Sequence, residues 1–223
     1  FEEVEVYVKI ESLDGLPVAI DFSLIPKSQW NKERLHINLF HGIFNGILLI
    51  VILLSIFFYS TTQQIVFLNL SAYALFTFVY FLHVNGFIEL LFIPNQANSL
   101  AAFWLLPFLI AAAYFRFAMT FNETKQNFPF WDKLFHYLSI GNVILFVLAS
   151  GYLLLTNDYY NTVRVMQLLL FTYIVLGTVF LFTIYQNGAL INKYFVYGSM
   201  FFMFSSLISI AGQFLYANNA LPL

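Results

Sequence analysis

Long apolar segments separated by short polar stretches dominate the chain from residue 39 onward. An α-helix needs about 20 apolar residues to cross a bilayer core of about 30 Å, because each residue adds about 1.5 Å of length. The pattern predicts six such helices, at residues 39–60, 65–85, 99–121, 134–155, 164–186 and 194–217. None of these segments contains an acidic residue, so the predicted fold class is an α-helical transmembrane bundle.

The first 26 residues follow a different pattern, in which apolar and polar positions alternate. The apolar positions of the first run are Val4, Val6, Val8 and Ile10. Asp14 and Gly15 form a turn signal, and a second alternating run follows them. Because two strands alone bury too little apolar surface, we expect a β-hairpin over residues 1–26 that completes a larger extracytoplasmic sheet. Residues 27–38 are polar, and we interpret them as a juxtamembrane linker.

The composition supports lipid as the surroundings of the chain. Hydrophobic residues make up 61% and charged residues only 9%, whereas soluble domains carry about 25% charged residues. The net charge of −2 offers no basic field for nucleic acid, so no nucleic-acid partner is expected. The absence of cysteine excludes disulfides and thiol chemistry.

The distribution of basic residues predicts an orientation. With the N-terminus outside, Arg116, Lys125, Lys133 and Lys193 lie in or beside the inner loops, and the outer loops between spans contain neither lysine nor arginine apart from Arg164 at one edge. Lys27, Lys32 and Arg34, just before the first span, oppose this orientation, but long segments that precede a span translocate largely regardless of charge. Cytoplasmic loops carry an excess of these residues, so we predict an extracytoplasmic N-terminus. Residues 218–223 would then form a truncated outer loop, and we expect the chain to be an excerpt of a longer protein.

Several short stretches, together with the β-hairpin that precedes them, carry a family resemblance. They are residues 42–46, Tyr80, residues 85–86, 117–121, 128–134 and 193–198. In this order along the chain they resemble the bacterial seven-transmembrane receptors with diverse intracellular signalling modules, over nearly the whole chain. The resemblance implies a jelly-roll-like β-sandwich ending at residues 1–26, a seventh helix, and a cytoplasmic output domain such as a histidine kinase or a cyclase.

The function implied by the resemblance is that of the membrane sensor portion of a bacterial receptor in the inner membrane. Its partners would be the lipid bilayer, an unidentified extracytoplasmic ligand and an output domain in cis, with a homodimer as a further option. The resemblance implies a carbohydrate as the class of ligand. The alternative is a small-molecule transporter or another multi-pass protein. No internal repeat and no acidic residue occurs in the predicted spans, which argues against an ion-coupled transporter.

The second span carries the candidate ligand-binding residues. Its polar stripe consists of Asn69, Tyr73, Thr77, Tyr80 and His83. These positions fall within about 120° of arc at 100° per residue, so they share one helix face. We take Asn69, Tyr73, Tyr80 and His83, with Glu89 beyond the span, as candidates for ligand binding. The alternative is ordinary hydrogen bonding between membrane helices.

Catalytic and metal-binding patterns are absent from the sequence. It contains none of the common hydrolase, metalloprotease or nucleotide-binding motifs, so we predict no enzyme activity, no catalytic residue and no cofactor. Three histidines and one carboxylate lie near the predicted outer face: His36, His41, His83 and Glu89. Their spacing fits no zinc motif, so no metal site is predicted, and titration between pH 5 and 8 is the remaining functional option for the histidines.

Two residues of the third span predict local features. Arg116 lies near the inner end of the span, where its long side chain can extend toward the lipid headgroups. Pro107 lacks a backbone N–H, and we expect it to kink the helix.

Overall fold

The computed structural model describes residues 27–88, 103–156 and 158–200. Its helices are α1 (Lys27–Thr62), α2 (Ile65–Val84), α3 (Leu106–Phe121), the short α4 (Thr124–Asn127), α5 (Pro129–Thr156) and α6 (Tyr159–Asn187). Residues 190–200 are also helical and are named α7. The predicted β-hairpin, the candidate Glu89 and residues 218–223 lie outside the described residues.

Five helices of the described residues are long and apolar enough to cross a membrane. They cover Asn38–Thr62, Ile65–Val84, Phe103–Phe121, Pro129–Thr156 and Leu168–Asn187. These spans match five of the six predicted ones, with ends that differ by several residues. The sixth prediction, residues 194–217, begins within α7, and its remainder lies outside the described residues. The structure is therefore mostly helical, as the hydrophobic pattern predicts.

The first helix is longer than its apolar segment. It begins at Lys27, so the segment predicted as a linker is helical and continues into the membrane span. Residues 27–38 contain no glycine or proline and several good helix formers, which explains the continuation. The helix ends where Thr62 donates a hydrogen bond to the Phe58 carbonyl and Gln63 adopts a φ of 55°. That left-handed conformation stops a helix and turns the chain into α2.

Pro107 does not kink the third span. It occupies the first turn of α3, whose helical hydrogen bonding starts at Leu106 after a short 3₁₀ turn at residues 103–105. A proline at this position removes an N–H that has no intrahelical partner. The residue therefore marks the beginning of α3, and the expected kink is absent.

The corner between α3 and α5 is held by side chains. Asn122 is buried and donates from Nδ2 to the Ala118 carbonyl at 2.9 Å. Glu123 has a φ of 47°, which reverses the chain, and Thr124 donates from Oγ1 to Asp132 Oδ1 at 2.7 Å. These contacts place the start of α5 beside the end of α3.

The helices pack around α3. Helix α1 packs on α2, α2 packs on α3, and α3 packs on α5. Two groups of buried side chains fill the bundle. The aromatic cluster, at the end where α4 lies, consists of Phe115, Ala118, Phe128, Trp131, Phe135, Phe180, Leu181, Ile184, Phe195 and Val196. The aliphatic cluster, at the opposite end, consists of Leu105, Phe108, Leu153 and Met166.

Candidate relay site in the bundle

The polar stripe of α2 faces α3. Asn69 donates from Nδ2 to Thr120 Oγ1 at 3.2 Å and to the Arg116 carbonyl at 3.4 Å. One turn further along α2, the Tyr73 ring lies 5.6 Å from the Tyr114 ring, measured between centroids. Thr77 is buried and donates back to the Tyr73 carbonyl at 2.8 Å. This part of the stripe thus lies in the contact between two helices.

The other candidates of the stripe lie toward the opposite end of α2. The His83 ring is buried, 5.5 Å from the Phe103 ring and 5.1 Å from the Trp104 ring. Tyr80 is half-buried, and its ring lies 5.7 Å from that of the adjacent Phe81. The structure therefore brings Asn69, Tyr73 and His83 to the side of α2 that meets α3 and the turn before it. A ligand-binding role for these residues stays a prediction.

Arg116 is held by a serine of α5. Its Nε donates to Ser139 Oγ at 3.2 Å, and Ser139 in turn donates to the Ala112 carbonyl at 3.1 Å. Ala112 lies one turn before Arg116 and is the central residue of the span Phe103–Phe121. The side chain therefore extends toward the middle of the span and not, as expected, toward the nearer helix end. Helical side chains lean toward the N-terminus of their helix, which explains this direction.

Two more contacts extend the hydrogen bonding to α6 and α7. Tyr173 of α6 donates from its hydroxyl to Asn142 Oδ1 of α5 at 3.0 Å. Tyr114 of α3 donates to Ser199 Oγ of α7 at 3.0 Å. These side chains form four hydrogen-bonded pairs between helices, and we name them together the polar core: Asn69, Tyr114, Arg116, Thr120, Ser139, Asn142, Tyr173 and Ser199. Helix α3 contributes three of them and has a polar contact to α2, α5 and α7.

Sequence reasoning found the α2 part of the polar core and missed most of the rest. Ser139 and Asn142 lie three residues apart on α5, and both are buried. This spacing puts them on one face of a helix, which is a signal that the sequence contains. Tyr114, Tyr173 and Ser199 belong to no repeating polar pattern, and only the structure reveals the helices that they contact.

The side chains of the polar core can form hydrogen bonds, and one of them carries a positive charge. Its members are hydroxyl and amide groups with a single guanidinium, and none is a carboxylate. Within the described residues, no group of three side chains could hold a metal ion. Such interhelical bonds are worth about 1 kcal/mol each, so they can exchange partners at low cost when helices shift.

Electrostatic effects outside the spans are modest. Asp158 precedes α6 and accepts a hydrogen bond from the Asn161 side chain at 2.6 Å and one from its backbone N–H at 3.1 Å. These bonds, the side-chain bond first, lower the pKa of Asp158 below its ordinary value. The carboxylate is thus fixed as the N-cap of α6.

These features define a class: a helical, multi-pass membrane protein whose described residues place several polar side chains in contacts between helices. A comparison with protein families identifies it further. Residues 37–223 match the family described as 7TM diverse intracellular signalling. The chain belongs to this family of membrane sensor domains of signalling receptors, as the resemblance predicts. The comparisons with curated proteins and with solved structures returned no match.

Proposed function

We propose that this chain is the membrane sensor portion of a bacterial receptor, which relays an extracytoplasmic stimulus to a cytoplasmic output domain in cis. Family membership supports the sensing role. We further propose an orientation in the membrane, with the N-terminus outside the cytoplasmic membrane. The output domain would be a module such as a histidine kinase. A carbohydrate bound by the extracytoplasmic β-domain is the stimulus that the family resemblance favours.

The observation that carries the relay is the position of α3. Asn69 reaches its backbone from α2, Ser139 holds its arginine from α5, and Tyr114 joins it to α7. A shift of α3 along its axis would therefore strain contacts to three helices at once. A packed bundle responds to such strain by changing between discrete arrangements, because its interior does not deform continuously.

The basic residues between the helices, as opposed to Lys27, Lys32 and Arg34 at the start of α1, support the orientation. Lys125 and Lys133 are exposed near the corner between α3 and α5, and Lys193 lies at the same end, where α7 begins. At the opposite end, the connection between α5 and α6 contains Asp158 and no lysine or arginine between residues 157 and 163. In the proposed orientation the end where α4 lies faces the cytoplasm.

The relay is tested in the full-length receptor with its own output domain, by comparing Ser139→Ala with Thr178→Val. Ser139 links two helices, whereas Thr178 is exposed and bonds only the Ile174 carbonyl of its own helix. We expect Ser139→Ala to alter output activity, basal or stimulated, at unchanged protein level in the membrane. Thr178→Val should behave as the wild type. Equal output from both variants would refute the relay through α3.

The orientation is tested with single cysteines, for which the chain has no native background. Gln64 and Gln126 are exposed and lie at the end proposed to face the cytoplasm, whereas Thr156 is exposed at the other end. Cysteine at Thr156 should react with an impermeant reagent in intact spheroplasts, and cysteines at Gln64 and Gln126 should react only after permeabilisation. Thr124 is buried and is unsuitable for labelling. The reverse labelling pattern would invert the orientation.

A further inference from the structure

We propose that α1 is the moving input element of the relay and has a second register on α2. In this displaced register α1 lies one helical turn further toward the extracytoplasmic side, and Asn45 pairs with Asn85. The proposal deepens the proposed function and rests on its orientation. Three features of the molecule support it: the continuity of α1, the alignment of the two helices, and two buried amide groups that lack a hydrogen bond.

Helix α1 connects the outer side of the membrane directly to the bundle. It runs without interruption from Lys27 to Thr62, and residues 27–37 precede the membrane span that begins at Asn38. At 1.5 Å per residue, this part adds about 16 Å of helix before the span. Within the described residues, α1 packs mainly on α2. Because a helix does not stretch easily, a displacement of its outer end moves α1 along α2.

Two pairs of phenylalanine rings fix the register of α1 on α2 in the structure. They are Phe44 with Phe81, 4.8 Å apart near the outer end, and Phe58 with Phe67, 5.3 Å apart near the inner end. Both pairs give the same antiparallel alignment, in which Asn85 lies level with residues 40–41 of α1. Asn45 is therefore four to five residues, or about 6–8 Å, nearer to the middle of the bundle than Asn85.

Two complementary amide groups lie in this contact without a hydrogen bond. Asn45 is 7% exposed and shares the buried side of α1 with Ile52 and Ser55, the side that packs on α2. Asn85 donates its backbone N–H to the Phe81 carbonyl at 3.1 Å, so it continues the face of α2 that meets α1. Across the described residues, Asn45 Oδ1 and Asn85 Nδ2 are buried and have no hydrogen-bond partner. The first needs a donor and the second an acceptor, so each group can satisfy the other.

A slide of α1 by one turn brings these two groups together. An outward movement of about 5.4 Å, the pitch of an α-helix, keeps the same face of α1 against α2 and moves Asn45 to within about 2 Å of the level of Asn85. The exposed apolar side chains of α1 then exchange one lipid contact for another. The slide loses the two ring contacts and gains the hydrogen bond, so the two registers have opposing advantages. Packed helices change register by such discrete steps.

The inner end of α1 can supply the length that the slide requires. Only two residues separate α1 from α2, so the last turn of α1 must unwind. This turn ends with Ser60, Thr61 and Thr62, whose hydroxyls donate to backbone carbonyls one turn earlier. Such side chains compete with the helix for its backbone groups. Three residues that change from helical to extended lengthen the chain by about 5 Å, which matches one turn.

The test is disulfide cross-linking of the full-length protein in native membranes, for which the chain has no native cysteine background. Cysteines at Phe44 and Phe81 report the register of the structure. Cysteines at Leu48 and Phe81 report the displaced register, because Leu48 follows Phe44 by about one turn on the same face. We expect both pairs to cross-link under copper phenanthroline, the second more slowly. Cysteines at Ile50 and Phe81 are the control pair and should not cross-link, since Ile50 is exposed on the far side of α1.

Removal of either amide should disfavour the displaced register. Asn45→Leu and Asn85→Leu should each lower the ratio of the displaced to the structural cross-link about fivefold, the effect of one hydrogen bond between membrane helices. Two variants keep the test decisive if one of them fails to accumulate in the membrane. Ser150→Ala removes another buried oxygen that has no hydrogen bond among the described residues, on α5, and should leave the ratio unchanged.

The proposal is overturned if the displaced pair cross-links no faster than the control pair, or if both leucine variants keep the wild-type ratio. The cross-links do not depend on the output domain. Failure of the relay, measured as output activity, and failure of the displaced register are therefore distinguishable.

Discussion

The two ends of the bundle are packed in different ways. At the end where α4 lies, rings from four helices meet, with centroid distances of 4.5 Å for Phe135 and Phe180, 5.0 Å for Phe115 and Phe135, and 6.5 Å for Phe180 and Phe195. At the opposite end, Leu105, Phe108, Leu153 and Met166 fill the interior from three helices. Rigid rings permit few relative positions, whereas leucine and methionine adapt to small shifts. From the larger number of buried rings at the α4 end, we expect helix movement to cost less at the end remote from α4, although the rings of His83, Phe103 and Trp104 lie at that end too.

This contrast matters for the proposed relay. In the proposed orientation, the adaptable end faces the extracytoplasmic side and the aromatic end faces the cytoplasm. The polar core lies between them, with Arg116 and Ser139 beside the middle of α3. A stimulus would then act on the part of the bundle that shifts most easily, while the aromatic cluster keeps the inner ends of α3, α5, α6 and α7 together as one unit.

The largest effect on the free energy of unfolding is expected for a substitution in the aromatic cluster. Phe135→Ala removes a fully buried ring that contacts three other aromatic side chains, and should lower the free energy of unfolding by about 3 kcal/mol. Leu153→Ala in the aliphatic cluster should cost less, about 2 kcal/mol, since a smaller side chain is lost. Reversible unfolding in mixed micelles measures both. Phe130→Ala, at an exposed neighbouring position, is the control, and a larger cost for Leu153 would reverse the comparison.

Substitution of Gly188 tests how tightly the corner between α6 and α7 is packed. A Cβ at Gly188 would lie 2.5 Å from the Ile184 backbone oxygen and 3.1 Å from the Asn192 side chain. Gly188→Ala should therefore destabilise the protein by about 1–3 kcal/mol, because a backbone atom must move. Gly151→Ala in α5 meets nothing within 4 Å and should stay within about 0.5 kcal/mol of the wild type. Equal melting temperatures of the two variants would show that this corner is adaptable too.

The polar core is tested by removing a single oxygen. Tyr114→Phe keeps the ring, stacked 6.3 Å from Phe195, and deletes the hydroxyl that donates to Ser199. We expect a loss of about 1 kcal/mol, the usual value of a hydrogen bond between membrane helices. Tyr152→Phe, which deletes an exposed hydroxyl bonded to Asp158, is the matched control. The idea that α3 is coupled to α7 through this bond fails if the two variants are equally stable.

The smallest expected effect is the change of the melting temperature with pH that arises from Asp158, at the end remote from α4. The bonds from Asn161 lower the pKa of Asp158 in the folded chain below its ordinary value of 3.8. The carboxylate therefore adds stability that is complete above the unfolded pKa and is lost as the pH falls through the folded pKa. The melting temperature should decline slightly between about pH 5 and pH 3, and less so in Asp158→Asn, which keeps a capping oxygen. An identical decline in the variant would assign the effect to other carboxylates.

Much of the architecture could be read from the sequence, and the contacts between helices could not. The five spans follow from apolar segments long enough to cross a bilayer. The observed helix ends differ from the predicted ones by several residues, because Pro129 and Tyr159 begin helices outside the apolar segments. The stripe of α2 was visible because its members repeat at helical spacing. The helix that packs against this stripe could not be predicted, since any of the other helices could have occupied that position.

Arg116 shows where sequence reasoning about single residues ends. Its distance from the helix end made an extended, surface-directed side chain the simplest expectation, yet Ser139 holds it toward the middle of the span. Only the packing of α5 on α3 brings that serine within reach. Its hydroxyl is bonded in turn to the Ala112 carbonyl, on the same helix as the arginine.

The sequence by itself determined that this chain is a membrane bundle and where its described spans lie, because the cost of placing polar groups in lipid acts on each segment separately. It also carried the family resemblance that the match over residues 37–223 confirms. The tertiary structure alone decided which helix each polar side chain meets, which end is aromatic, and that α3 joins three neighbours. Those outcomes depend on how side chains from distant segments fit together, and no local pattern specifies that fit.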